Sequence, residues 1–194
     1  MKEILYDWGG ANIWLFHAIN DVRNEFLDKF MLLGTQLGEH SLFPFYLALI
    51  SLFALHQAAM DRQKTQRWLI VIAVFSTAYL LDGMLIGFLK PLLDFPRPPL
   101  ALPQGTVHIV GKAEYHHSLP SGHSSFAMLC TASLWPELNR HGRIAGVFFV
   151  LWVGISRISL GAHFPADVLA GFLSSLAVVL MVRATIKAYA RKSN

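Results

Sequence analysis

Residues 67–89 read RWLIVIAVFSTAYLLDGMLIGFL, an apolar run whose one internal charge is Asp82. A bilayer core about 30 Å thick takes roughly 20 mostly apolar helical residues, and this stretch is long enough to cross one. Comparable runs occupy 41–57, 123–139, 143–161 and 166–186. The composition agrees: 54% of the 194 residues are hydrophobic and 14% are charged, against about 25% charged in an ordinary soluble domain. A chain this short has too much surface to hide so much apolar side chain from water. The expectation is an all-α, multi-pass transmembrane bundle of about five or six spans, one integral-membrane domain over 1–194.

Outward from these runs, residues 1–40 differ. The stretch from Ala11 to Glu39 is apolar but broken by Asp21, Arg23, Glu25, Asp28 and Lys29, which are costly at the bilayer centre. It reads as an amphipathic N-terminal segment whose helices lie in the interface. Lys2, Glu3 and Asp7 ahead of a short apolar stretch do not make a cleaved signal peptide. The loop at 58–66 carries Arg62 and Lys64, the turn after 139 carries Arg140 and Arg143, and the tail carries Arg183, Lys187, Arg191 and Lys192. With alternating spans these fall on one face. The positive-inside rule makes that face, and the C-terminus, cytoplasmic, with Trp68 and Trp135 as interfacial aromatics beside it. The protein is then expected in the cell (inner) membrane, with its opposite face external or periplasmic. The net charge of +4 is scattered with no basic-aromatic stripe, so nucleic acid is not an expected partner. Cys130, the one cysteine, excludes an internal disulfide and a thiolate-rich metal site; it reads as packing.

Three blocks meet on the external face, within residues 90–167. Lys90 and Arg97 stand in KPLLDFPRP at the exit of the second run. Ser121, Gly122 and His123 stand in PSGH at the entry of the third. Ser156–Arg157, His163 and Asp167 bridge the last two. Lys90, Arg97 and Arg157 supply three cations, and arginine grips phosphate oxygens bidentately. Ser121 and Gly122 precede a helix whose N–H groups and dipole favour an anion. An imidazole nitrogen attacks phosphorus when its other nitrogen donates to a carboxylate. Asp167, four residues after His163, fits that role, with Pro165 starting the helix between them. His163 is assigned as nucleophile and Asp167 as its orienting partner. His123 would protonate the leaving oxygen and then deprotonate the water that hydrolyses phosphohistidine. The cations would stabilise the transition state, so neither a metal nor another cofactor is expected.

The order K-x6-R-P, P-S-G-H, S-R-x5-H-x3-D resembles the type 2 phosphatidic acid phosphatase family. The resemblance implies a helical bundle with metal-independent phosphatase activity and a phosphohistidine intermediate. It also implies Lys90, Arg97, Ser121, Gly122 and Arg157 at the phosphate, with His123, His163 and Asp167 in the roles above. The short amphipathic N-terminus is similar to that of small bacterial undecaprenyl pyrophosphate phosphatases, some of which carry aspartate where this chain has Gly122.

Plainer roles are expected elsewhere. Asp82 reads as a buried structural hydrogen bond, despite the cost of a carboxylate at that depth. Ser121 reads also as an N-cap. Gly161, Gly171 and Ser174–Ser175 read as close-packing positions between helices. His108, His116 and His117 fit no familiar ligand spacing and read as solvated loop. A run of about 17 residues at 123–139 spans roughly 25 Å, which would recess its active end slightly, at headgroup depth. The expected partners are therefore the bilayer and a lipid phosphate or pyrophosphate: undecaprenyl pyrophosphate, phosphatidylglycerol phosphate or phosphatidic acid. A lipid phosphotransferase with the same intermediate, and a non-catalytic phosphate-binding or transport protein, are the alternatives.

Overall fold

The surface of this chain is apolar where that of a water-soluble protein is polar, and polar side chains are buried beside its apolar core. Leu80, Met84, Phe88 and Leu92 recur every four residues and are 64, 73, 64 and 64% exposed, whereas Ser124, Ser125, Ser156, His163 and Asp167 are buried. An exposed apolar stripe of that length belongs in lipid. The structure, a computed structural model, describes residues 6–60 and 62–192; for residues 58, 60, 62, 63 and 190–192 it describes the backbone alone. Among the described residues every regular element is helical.

A single 3-10 turn, Trp8–Gly10, leads into α1 (Ala11–Asn20) and α2 (Glu25–Leu37). The 3-10 turn His40–Leu42 leads into α3 (Phe43–Met60), and α4 (Arg62–Leu93) follows. After the short α5 (Pro98–Ala101) and a long loop come α6 (Gly122–Leu134), α7 (Arg140–Ser159) and α8 (Pro165–Lys192). Local chemistry sets the ends. The Asn24 side chain accepts from Leu27 N at 2.7 Å and starts α2, and Asn139 accepts from Gly142 N at 2.8 Å and starts α7. Pro165 opens α8 with Asp167 in its first turn.

Among the described residues three helical stretches are long and apolar enough to cross a membrane: Lys64–Ala101, Arg140–Ser159 and Pro165–Tyr189. A fourth arises if Glu25–Leu37 and His40–Gln57, bent by 53° at their break, act as one span. By length and composition these are three or four candidate spans, against the five or six expected from the sequence. The run at 123–139 stops as a helix at Leu134: Trp135 still has helical φ and ψ, but Pro136 has no N–H with which to continue the ladder. At 13 residues, α6 is about 20 Å long. It is enclosed by α4, α7 and α8, with Phe126 and Leu129 fully buried. Its shortness leaves an apolar cleft of about 490 Å³ beside Met128, Val147 and Leu176, well away from the cationic motifs.

The N-terminal segment is also more than an interfacial coat. Phe16 of α1 is fully buried against Phe164, with ring centroids 5.3 Å apart. The Asn20 amide donates to His108 O and Ser159 O, both at 2.8 Å. On α2, Phe30 stacks on Trp152 at 4.5 Å, an approach that Gly34 permits, since a Cβ there would lie 2.7 Å from Trp152 Nε1. Both helices are parts of the bundle. Trp68 is packed against protein: it is 7% exposed and edge-on to Phe53 at 4.9 Å. Trp135, with Arg143 5.3 Å over its ring, is 39% exposed. Cys130 sits in the apolar core.

Asp82 receives the Ser125 hydroxyl at 2.6 Å, the buried hydrogen bond expected of it. Gly171 is a helix-packing position, because a Cβ would lie 2.5 Å from Ser121 O. Gly161 is not one: it follows α7 with φ +75°, and a Cβ would meet His108 O of the long loop. Gly154 carries the α7–α8 contact, since a Cβ there would lie 2.5 Å from Phe172 Cζ and 2.8 Å from Val168 Cγ1. Gly154→Ala should therefore destabilise the bundle by about 1–3 kcal/mol. The check is its thermal unfolding midpoint in detergent, and an unchanged midpoint would contradict so close an approach.

Candidate active site

The motif residues come from three places in the chain, and two backbone contacts bring them together. Ser121 N donates to Asp167 O at 3.0 Å, joining the start of α6 to the start of α8. His163 N and Ala162 N donate to Arg157 O at 3.1 and 3.0 Å, folding the α7–α8 turn back over Arg157. His163 is thereby 1% exposed, with its two ring nitrogens facing different partners. Nδ1 lies 3.4 Å from both Asp167 Oδ2 and Ser118 Oγ. Nε2 lies 3.2 Å from Arg97 Nη1.

Guanidinium groups only donate, so Nε2 is an acceptor and the proton belongs on Nδ1. That assignment follows from the hydrogen-bond network. The lone pair on Nε2 thus points toward the cations. At 3.4 Å the His163–Asp167 contact is longer than a charge-assisted hydrogen bond of about 2.7–2.9 Å. The Asp167 carboxylate is held tightly by other groups. Ser118 Oγ donates to Oδ2 at 2.5 Å, Phe164 N to Oδ2 at 2.8 Å, and Tyr6 Oη to Oδ1 at 2.8 Å. Tyr6 and Ser118 were not singled out in the sequence. Tyr6 lies 161 positions from its partner and carries no local signal; Ser118 sits three residues ahead of Ser121, where an extra hydroxyl was the only cue. Burial, then the neighbouring Asp167 charge, push the Tyr6 phenol far above its usual range, so it stays a donor. Burial, reinforced by Arg97, Arg157 and Lys90, holds the His163 imidazolium pKa well below its usual value. His163 is therefore neutral at physiological pH, as a nucleophile must be.

Lys90 lies within electrostatic reach of Arg97 and Arg157, and each of the three cations is engaged by the protein. Arg97 Nη1 meets Glu114 Oε2 at 2.7 Å and Ala162 O at 3.2 Å, while its Nε donates to His116 O at 2.9 Å. Lys90 Nζ donates to His117 O at 3.0 Å. Arg157 Nη1 donates to Thr35 Oγ1, and its buried Nε has no partner among the described residues. A buried guanidinium N–H without an acceptor is costly, and a phosphate oxygen is a fitting one. A cavity of about 230 Å³ opens there, lined by Thr35, Lys112, Glu114, His123, Arg157 and Ala162. His123 has no hydrogen-bond partner among the described residues and lies within electrostatic reach of Arg157, His163 and His40.

Ser121 and Gly122 are placed differently from each other. Ser121 is fully buried, its N–H is taken by Asp167 O, and its hydroxyl accepts from Ser124 Oγ at 2.9 Å. It occupies the N-cap position of α6, but its side chain makes no capping bond, because that hydroxyl is already engaged. Gly122 O lies 2.9 Å from His40 Nε2, a contact that the sequence did not suggest. A side chain on Gly122 would meet nothing closer than His40 at 3.7 Å, so the bare backbone there is not demanded by packing. Of the loop histidines, His117 Nδ1 pairs with Asp94 at 3.1 Å, and His108 is tied to Asn20 through its backbone. Among the described residues no group of three His, Cys, Asp or Glu side chains is arranged to hold a metal ion.

Known proteins are similar to this chain in sequence and fold. A family model described as the PAP2 superfamily matches residues 72–191. The chain is 34% identical over 173 residues to phosphatidylglycerophosphatase B of Bacillus subtilis, covering 84% of this chain and 76% of that one. It is 28% identical over 176 residues to the undecaprenyl-diphosphatase BcrC of the same organism, covering 88% and 80%. The crystal structure of a transmembrane PAP2-type phosphatidylglycerolphosphate phosphatase from Bacillus subtilis superposes with a TM-score of 0.69 at 27% identity. That match covers 94% of this chain and 88% of the other. With a family model over more than half its length and the cationic, two-histidine mouth built by these motifs, the chain belongs to the PAP2 superfamily and is a PAP2-type membrane lipid phosphatase.

Proposed function

We propose that this protein hydrolyses a lipid phosphate monoester through a phosphohistidine on His163, with phosphatidylglycerol phosphate as the leading substrate. The observation that carries the chemistry is the two-sided setting of His163, with Nδ1 toward Asp167 and Ser118 and Nε2 toward Arg97. The substrate preference is supported by the 34% identity to phosphatidylglycerophosphatase B. The 28% identity to an undecaprenyl-diphosphatase supports a lipid pyrophosphate as the second reading.

In this mechanism the terminal phosphate enters among Arg97, Arg157 and Lys90, replacing the protein acceptors they now hold. His163 Nε2 attacks phosphorus, a P–N bond forms, and the bond to the lipid oxygen breaks. His123, whose pKa burial and then Arg157 hold down to about 2, takes up a proton as the anionic phosphate enters and gives it to that oxygen. Asp167 stabilises the positive charge that develops on the His163 ring. His123 then takes a proton from water, the hydroxide attacks phosphorus, the P–N bond breaks and orthophosphate leaves. The guanidinium groups hold the equatorial oxygens throughout, where they are worth most in a water-poor site. No step needs a metal ion.

The site stands at the C-terminal end of α4 and the N-terminal ends of α6 and α8. Arg67, Arg183 and Lys187 gather around Glu137 at the other end of the bundle. By the positive-inside rule that basic end is cytoplasmic, and the phosphate site faces the periplasm or exterior.

Purified protein in detergent, given phosphatidylglycerol phosphate, phosphatidic acid and undecaprenyl pyrophosphate with EDTA present, should release orthophosphate fastest from the first. Activity abolished by EDTA and restored by a divalent cation would reject the metal-free mechanism. His163→Ala should lower turnover by about a thousandfold or more and abolish acid-labile phosphate on the protein after rapid quenching. A labelled variant would remove His163 as nucleophile. Tyr6→Phe, which acts only through Asp167, should lower kcat about 2- to 10-fold with KM unchanged; a KM effect alone would place Tyr6 at the substrate instead. Because the folded-state pKa of His163 is depressed, its contribution to stability is full above about pH 6.5 and falls as the unfolded chain takes up the proton below that. His163→Asn should therefore lose less thermal stability between pH 7 and 5 than the wild type, and equal losses would contradict the buried neutral imidazole.

A further inference from the structure

Glu114 is an acid placed among the phosphate-binding cations. Its Oε2 lies 2.7 Å from Arg97 Nη1, and it lines the cavity that Arg157, Lys112 and His123 also line. The nitrogen it holds is the one that lies 3.2 Å from His163 Nε2, so Glu114 keeps Arg97 over the nitrogen that must attack phosphorus. Its side chain is 48% exposed. It can therefore leave for water at the mouth of the site, whereas the Arg97 side chain, 9% exposed, then needs another acceptor in its place.

We propose that Glu114 determines the specificity of this site: its carboxylate is a tethered, singly charged stand-in for phosphate that phosphate monoesters displace and phosphodiester lipids do not. The inference rests on the function proposed above. A cationic mouth at headgroup depth is surrounded by a great excess of phosphodiester headgroups, each with one negative charge and two free phosphoryl oxygens. Three unscreened cations would bind those headgroups and stay blocked. Glu114 carries the same single charge and, being tethered beside Arg97, acts at a high effective concentration. A diester therefore gains little by replacing it. A monoester carries about −1.5 to −2 charges at pH 7 and three acceptor oxygens. It can engage Arg97, Arg157 and Lys90 together, including the Arg157 Nε that has no partner among the described residues. Discrimination then comes from competition against the wrong ligand as well as attraction for the right one.

The loop that carries Glu114 is held by its backbone. Tyr115 O accepts from Arg97 N at 2.9 Å, His116 O from Arg97 Nε at 2.9 Å, and Ser118 N donates to Phe95 O at 2.9 Å. Removing the charge of Glu114 should leave that loop in place.

The test compares wild type with Glu114→Gln in a phosphate-free maltoside detergent, with thermal unfolding as a check that both are folded. Orthophosphate binding is measured by calorimetry, and turnover of the preferred lipid monoester is measured against rising short-chain phosphatidylglycerol, a diester. Glu114→Gln should bind orthophosphate about tenfold more tightly. It should lose most of its turnover at diester concentrations that leave the wild type unaffected. Unchanged or weaker orthophosphate binding in Glu114→Gln overturns the proposal, as does a diester sensitivity equal to that of the wild type. If Glu114→Gln does not fold, Glu114→Ser removes the same charge and is judged by the same two measurements. A wild type that binds no orthophosphate at all would instead reject the phosphate site itself, so the two failures are distinguishable.

Discussion

The contact between the starts of α6 and α8 governs the rest of the site. Ser121 N donates to Asp167 O at 3.0 Å, and Gly171 lets the two backbones approach so closely that a Cβ would lie 2.5 Å from Ser121 O. That approach puts the first turn of α6, which carries His123, beside the first turn of α8, which carries Asp167. His163 lies two residues before Pro165, the first residue of α8, and Arg157 O holds its N–H from the other side. Both imidazoles therefore stand at one end of the bundle, where His123 and Arg157 line one cavity. A side chain larger than glycine at position 171 would push the two helices apart, and with them the two halves of the reaction.

Electrostatics explains why such an arrangement survives folding. Three cations brought together repel one another and lose hydration on burial. Here each is offset by an oxygen: a carboxylate and two carbonyls at Arg97, a carbonyl at Lys90 and a hydroxyl at Arg157. Burial first, and then their field, keep the His163 ring neutral, so the feature that attracts phosphate helps to keep the nucleophile active. The carboxylate of Asp167 is the counterweight inside the protein. Its oxygens are saturated by Ser118, Tyr6 and the Phe164 amide, which fixes where the Nδ1 proton must point.

This cluster lies inside a molecule with an apolar exterior, and the short central helix reconciles the two. Because α6 ends at Leu134 and is wrapped by α4, α7 and α8, its serines and threonine face protein rather than lipid. Ser124, Ser125 and Ser133 are fully buried, and the Ser125 hydroxyl satisfies Asp82 at 2.6 Å. Polar groups at membrane depth are tolerated where the protein encloses them. The N-terminal helices complete the enclosure: α1 seals the α7–α8 turn through Asn20, and Asn12 caps the start of α8 through Ala166 N at 2.9 Å.

Much of this was legible in the residues alone. Long apolar runs can only be helices in a bilayer, because lipid offers the backbone no hydrogen-bond partner. The order of Lys90, Arg97, PSGH, Arg157, His163 and Asp167 placed three cations and two histidines at one end of those helices. Both kinds of information are local, a matter of hydropathy and spacing. What only the tertiary structure decided depends on partners far apart in the chain. Whether a run spans the membrane alone or is wrapped by others separates α6 from α4. Whether a tryptophan is exposed or packed in the core separates Trp135 from Trp68. The hold of Tyr6 on Asp167 across 161 positions, and of Glu114 on Arg97, leaves no periodicity or motif behind. Such contacts are set by where the folded backbone brings two side chains, and spacing along the sequence does not contain that distance.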